Sequence, residues 1–299
     1  MANLRDIRNR IDSVENTKQI TRAMKMVAAA KLRRAQERIF ETRPYAYKLH
    51  QIIQHLREHL EPAKHPWFAE PEDVGRVLLV VISSDRGLCG AFNSNVFELT
   101  EETIEGEYPR IFDRGDGAVL PIGSKGYDHY RRHEEVRSIG DFRQFFDPLS
   151  FEQTVEVVDE IVAGYEAGRW DEVKIVYNEF RNTISQDQIV EPFLPISEEQ
   201  FTTPAMEELL ETGPAARPHA VDYLSEPDVD TLLEEIVPRY VRFQLWRIVL
   251  ESNASEQGAR MAAMDNATTN AEELLEDLEL TYNRARQEAI TTEILEIAS

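Results

Sequence analysis

Hydrophobic residues near the N-terminus recur in steps of three and four: Leu4, Ile7, Ile11, Val14, then Ile20, Met24 and Val27, and later Leu49, Ile52, Ile53 and Leu56. That is the period of an α-helix with one apolar face. Residues 3–60 contain no glycine and a single proline, Pro44. The pattern therefore predicts one helix over residues 1–60, roughly 80 Å long at about 1.5 Å per residue. Such a length belongs to a coiled coil or a projecting shaft. The other end of the chain, residues 228–299, repeats the pattern, with only Pro238 and Gly258 interrupting it. Leu232, Leu233, Ile236, Val241, Leu245, Ile248 and Val249 mark one apolar face; Leu274, Leu275, Leu278, Tyr282, Ala285, Ala289 and Ile294 mark another. Pro238 removes one backbone donor and is expected to kink this helix rather than end it. Two helices of this size, with apolar stripes facing water, call for each other as partners.

Between them the period changes. "RVLLVVISS" (76–84) is a β-branched apolar run that leads into the glycine-containing loop "DRGLCGAFN". "AVLPIG" (118–123), "EVKIVYNEF" (172–180) and "QIVEPFLPI" (188–196) read as further strands, and helices are expected near 94–106, 124–133 and 151–167. Strands alternating with helices predict a Rossmann-like α/β domain over 74–196 with a largely parallel sheet. Residues 197–227 are rich in Glu, Pro and Thr and read as a solvated connection, with one short helix around 204–211.

Charge sharpens this picture. The chain carries a formal −22, yet residues 1–60 hold 13 Lys and Arg against 6 Asp and Glu. Residues 225–299 hold 6 basic and 16 acidic side chains. Opposite signs favour laying the two ends together, less so in high salt. The acidic total argues against general nucleic-acid binding, which needs a basic footprint, and suits a salty cytoplasm. No apolar run is long enough to span a bilayer, and no apolar signal core opens the chain, so a soluble chain in a reducing cytosol is expected. Cys89, the single cysteine, can form no internal disulfide.

Candidate chemistry is sparse. "SSDRGLCGAFNSN" passes from strand to helix where a doubly wound fold can hold phosphate. It matches neither G-x-G-x-x-G nor G-x-x-x-x-G-K-[ST], and Gly87 and Gly90 serve a tight turn equally well. "GSKG" (123–126) poses the same choice with the same preference for a turn. His55 and His59, and His129 and His133, are four apart, a spacing that can share a metal. "HLREH" lacks the glutamate of the zinc-protease motif and neither pair shows further ligands, so solvated histidines are expected. Cys89 sits at a helix start that could lower its pKa, without a visible base; packing is the preferred reading. In "MKMVAAAK", Met24 and Val27 fall near one face, Ala28 to Ala30 offer close-packing positions, and Lys18, Arg22, Lys25, Lys31, Arg33 and Arg34 surround them. Arg284, Arg286 and Gln287 stand out in the acidic last helix. A solvated coiled-coil face and a membrane-surface helix are the alternatives for these residues.

"NTKQITRAMKMVAAAKLRRAQ", "SSDRGLCGAFNSNV" and "ASEQGARMAAMDNATTNAEELLEDLELTYNRARQEAITTEI" closely resemble the gamma subunit of the F-type ATP synthase. The three segments lie at both chain ends and at the start of the insert, so the resemblance spans the whole chain. It implies an antiparallel coiled coil of the terminal helices inside a ring of three alpha and three beta subunits (alpha3beta3), with the α/β insert lying lower, beside the epsilon subunit and the membrane c-ring. It further implies one copy per complex at the cytoplasmic face of a bacterial plasma membrane, no cofactor, and no catalysis by this chain: its rotation, coupled to proton movement, would drive the beta subunits through different nucleotide affinities. The family's rotor–stator contacts match here as Met24 and Lys25 on the first helix and Arg286, Gln287 and Thr291 on the last. The chain stops at "EILEIAS", short of many members, and its 197–227 connection is longer than in compact ones. No paired-cysteine insert is present, so thiol switching is not expected. An α/β nucleotide-binding enzyme with helical arms would instead bind ATP stoichiometrically, and a coiled-coil protein working alone would join no ATPase.

Overall fold

The computed structural model describes residues 4–58, 67–69, 71–133, 136–182, 185–197 and 229–298. The elements run α1 (Leu4–Glu58), β1 (Val77–Ile82), α2 (Phe92–Glu107), α3 (Pro109–Asp113), β2 (Gly117–Ile122), α4 (Ser124–Tyr130), α5 (Phe151–Glu166), β3 (Glu172–Phe180), β4 (Gln186–Leu194) and α6 (Val229–Ala298). The expected helix near 204–211 and most of the 197–227 connection lie outside the described residues.

The two long helices are continuous through their prolines. Pro44 lies on the exposed side of α1. The carbonyl it leaves without a helical donor is that of Phe40, also exposed, where water can take its place. The helices pair antiparallel: Thr21 meets Thr268, Lys25 meets Asp265, Arg43 meets Glu251 and His50 meets Tyr240.

The seam keeps a strict alternation of steps of three and four. On α1 it runs Lys18, Thr21, Lys25, Ala28, Leu32, Ala35, Ile39, Thr42, Ala46, Leu49, Ile53 and Leu56, all buried or half-buried. On α6 the matching run is Leu250, Ala254, Gln257, Met261, Met264, Thr268, Ala271 and Leu275, continuing through Leu278, Tyr282, Ala285 and Ala289. A 3.5-residue repeat is what keeps one stripe facing its partner along two supercoiled helices.

One expectation is overturned. Ile20 and Val27, taken with Met24 as part of the apolar stripe, are 59% and 58% exposed. The heptad passes instead through Lys18, Thr21, Lys25 and Ala28. Leu274 is likewise off the seam at 39% exposure.

The insert is a four-stranded sheet in the order β2-β1-β3-β4. Its first three strands are parallel. β4 returns antiparallel to β3, so the sheet is mixed. Pro121 and Pro192 fall on β2 and β4, the two edge strands, the places where a missing ladder donor does least harm. Successive residues of β1 serve opposite layers. Leu78, Val80 and Ile82 pack with α5 and the lower halves of α1 and α6; Val77, Leu79 and Val81 pack under α2, α3 and α4. The helical pair is thus one of the three layers of the domain. Beyond Leu32, Ala35, Ile39, Leu250 and Ala254 it touches the domain through Arg260 and Ala263, which reach the loop after β1, and then projects alone.

Candidate functional site: the projecting helical pair

A doubly wound sheet places ligands at the carboxyl ends of its strands, where the strand order reverses. Here that position, between β1 and β3, is closed by the protein itself. Asn178 at the end of β3 donates to the Phe92 carbonyl at 2.9 Å. Arg260 of α6 donates to the carbonyls of Arg86 and Gly87 at 2.9 and 3.2 Å, and its other nitrogen pairs with Glu256 at 2.5 Å. The loop that resembled a phosphate cradle is therefore the joint between domain and shaft.

The "GSKG" turn is also fully occupied. Asp85 accepts from the backbone and hydroxyl of Ser124, both at 2.9 Å, and from the Phe146 amide. The Lys125, Gly126 and Tyr127 amides go to Ser84 O, Ser83 Oγ and Gly123 O. All the amides that open α4 are satisfied, so no backbone donor is left to hold an anion. Gly123 has φ +98°, and a Cβ there would sit 2.3 Å from the Ser83 carbonyl; only glycine fits.

Cys89 is buried. Burial pushes its thiol above the usual value, ahead of a weaker opposing hydrogen bond from Ser84, so the helix-start effect expected from sequence does not prevail. A neutral thiol is a poor nucleophile. His55 is half-buried in α1, while His59 lies outside the described residues. His129 and His133 do converge, with ring centroids 4.4 Å apart, and Glu101 joins them. Burial and then the neighbouring His133 lower the pKa of His129.

The projecting pair has a different character. Thr21 and Thr268 hydroxyls meet at 2.8 Å inside it, and Lys25 pairs with Asp265 at 2.5 Å, with side chains 39% and 54% exposed. An ion pair this exposed contributes about 0–1 kcal/mol. On α1 the seam carries small and polar residues here, and its bulky ones turn outward. Ile20, Met26 and Val27 are each more than half exposed, and Arg22, Lys31, Arg33 and Arg34 stand in solvent around them. Of the expected contact residues, Met24 is half-buried and Lys25 is engaged on the seam.

Arg286, Gln287 and Thr291 are exposed, and the Thr291 hydroxyl is bonded to the Gln287 carbonyl. At one residue against one residue, the Thr21–Thr268 register puts Leu4 opposite about residue 285. These three residues therefore lie beyond the level of Leu4, the first described residue of α1. The structure brings Met24 and Lys25 together, and Arg286, Gln287 and Thr291 together, as two separate patches along one shaft.

Sequence reasoning missed the buried network that fixes the shaft to the sheet. Arg247 of α6 pairs with Glu191 of β4 at 2.5 Å, each side chain 2% exposed. Glu191 also accepts from Tyr177 Oη at 2.8 Å and Gln244 Nε2 at 3.1 Å. Burial and the Glu191 carboxylate raise the Tyr177 pKa, so the phenol stays protonated and donates. Arg43 of α1 grips Glu251 of α6 through two nitrogens, at 3.0 and 2.8 Å. Three charged residues within nine positions of a buried helix face, at 247, 251 and 256, were the available signal.

The chain matches the family model described as ATP synthase over residues 3–299. Among curated relatives, the ATP synthase gamma chain of Salinibacter ruber is 58% identical, covering 100% of this chain and 97% of that one. That of Chloroherpeton thalassium is 42% identical over 99% and 96%. Among solved structures, the mitochondrial ATP synthase central stalk and c-ring of Tetrahymena thermophila aligns at 25% identity, TM-score 0.56, over 83% of this chain and 99% of that one. A Euglena gracilis mitochondrial ATP synthase structure aligns at 24% identity, TM-score 0.62, over 99% and 92%.

Proposed function

The chain belongs to the ATP synthase gamma-chain family, and from that premise we propose that it is the central rotor stalk of an F-type ATP synthase, its projecting helical pair acting as a cam inside the alpha3beta3 ring. The chemistry belongs to the beta subunits; this chain is not the catalytic subunit. Its lower, domain-clad part stands on the c-ring, beside the epsilon subunit, at the cytoplasmic face of the membrane, with one copy per complex.

The observation that carries this reading is the reversal of polarity on α1 where the pair projects, with Lys18, Thr21, Lys25 and Ala28 on the seam and bulky and basic residues outside. A rotating shaft must present different contacts to each of three equivalent neighbours, because a partner that binds every state equally shifts none of them. Ile20, Met26 and Val27 on one helix and the exposed residues at the far end of α6 give the shaft unequal sides at two heights. Met24, Lys25, Arg286, Gln287 and Thr291 are the proposed contacts. With Lys25 held by Asp265, its charge reaches a neighbour only as part of a pair, while Arg286 and Gln287 are presented openly.

The test is affinity capture of the tagged chain from gently solubilised native membranes, with ATPase assayed on the captured complex and on the purified chain. Activity in the complex with alpha- and beta-sized partners, and none in the purified chain, is expected. Activity in the purified chain, or capture without partners, would overturn the proposal. In the captured complex, replacing Arg286 and Gln287 together by Ala is expected to lower ATP synthesis more than ATP hydrolysis. Unchanged synthesis and torque would remove these two residues from the contact.

A further inference from the structure

The outer layer of the insert, far from the shaft, holds a cluster that the rotor role does not use. Glu101 is on the third turn of α2. His129 is on α4, and His133 follows in the turn after it. One ligand atom from each lies within 4.8 Å of the other two. His129 Nε2 is already 3.4 Å from Glu101 Oε1, close to the spacing of about 3.3 Å between two donors on one tetrahedral ion with bonds near 2.0–2.2 Å.

The cluster is half built in a further sense. His129 is fixed in place, stacked on Phe97 at 4.1 Å with the rings 11° apart and edge-on to Tyr130 at 4.9 Å. His133 and Glu101 are exposed and can turn through the remaining distance about that fixed ring. We propose that Glu101, His129 and His133 form a binding site for a divalent transition metal of the zinc class, with water completing the coordination.

Two imidazoles and a carboxylate are donors suited to Zn²⁺ rather than Mg²⁺ or Ca²⁺, which favour all-oxygen sites. The strongly negative chain adds a general attraction for cations. The bound ion clasps α2 to α4, the two helices over one face of the sheet. With three protein ligands and an open position, the site exchanges its metal.

Co²⁺, whose visible absorption reports four-coordinate N/O ligation, is the probe. Titrating the full chain is expected to saturate at one Co²⁺, with bands that Zn²⁺ removes and Mg²⁺ does not. His133→Ala and Glu101→Gln, both at exposed positions, are each expected to weaken binding about tenfold or more. His55→Ala/His59→Ala, on the other histidine pair, should leave it unchanged. Absence of a saturable site in the wild type, or equal binding by His133→Ala, would overturn the proposal, as would loss of the signal in the His55/His59 variant alone.

Discussion

The lower and upper halves of the helical pair follow one heptad and are built from different materials. Where the pair forms a layer of the domain, its interior is large and apolar: Ile53, Leu56, Leu233, Val237, Leu245 and Ile248 are buried. Buried charges there are matched, Arg247 with Glu191 and Arg43 with Glu251. Where the pair projects, α1 puts Lys18, Thr21, Lys25 and Ala28 on the interior, against Met264, Thr268 and Ala271 of α6, and turns its own Ile20, Met26 and Val27 outside; buried apolar bulk returns nearer the tip at Ile7 and Leu275. The lower half is held to the sheet on two sides. The upper half has only its own seam and leaves Ile20, Met26 and Val27 for something outside the chain. A continuous period therefore does not mean a continuous function: the residue types placed on the seam decide which half is anchored and which half is presented.

The strongest way to break this comparison is at the anchor. Arg247→Met strands Glu191 in a fully buried site and is expected to cost about 3–5 kcal/mol, read by denaturant unfolding. Adding Glu191→Leu should restore only part of the loss, because it removes the stranded carboxylate but takes the acceptor from the buried Tyr177 Oη and Gln244 Nε2.

The next effect is a pH dependence confined to the same half. His50 bonds Tyr240 at 3.3 Å, and burial, followed by the nearby Arg247 charge, pushes its pKa down to about 4. In the unfolded chain an imidazole takes its proton near 6.5. Between those values the unfolded state binds more protons, so stability falls as pH drops from about 6.5 to 4, by about 3 kcal/mol. Burial raises the pKa of Glu251 and Glu256, which acts in the opposite sense, so the comparison is with His50→Gln. Unfolding at pH 7 and pH 4 should show the wild type losing that amount relative to the variant.

In the upper half, the expected effects shrink. Thr21→Ala with Thr268→Ala removes both partners of a buried hydrogen bond and should change stability by about 1 kcal/mol or less; thermal unfolding checks it. Smallest of all, Arg286→Ala/Gln287→Ala should shift unfolding within about 0.5 kcal/mol, so any loss of synthesis in the assembled enzyme would be a defect of contact and not of folding.

Much of the fold was legible along the chain. Period 3.6 marked both long helices, with Pro238 read as an interruption that the last helix survives. β-branched runs marked all four strands, and three of the insert helices fell where expected. Composition could not separate Ile20 and Val27 from the seam. Hydrophobicity alone assigns them inward, whereas the register imposed by Leu32, Ile39 and Ile53 below carries Thr21 and Ala28 inward instead. The antiparallel return of β4 was equally hidden, since its apolar residues suit either direction.

By itself the sequence determined the three-part plan of the chain, its uneven charge and its family, because each of these is written in local period or in long contiguous matches. Only the tertiary structure decided which side of the shaft is turned outward, that the glycine loop is a joint for Arg260, and that Glu101 meets two histidines from another element. Each of these depends on contacts between residues distant in the chain, and their geometry is set by packing whole elements together rather than by any local preference.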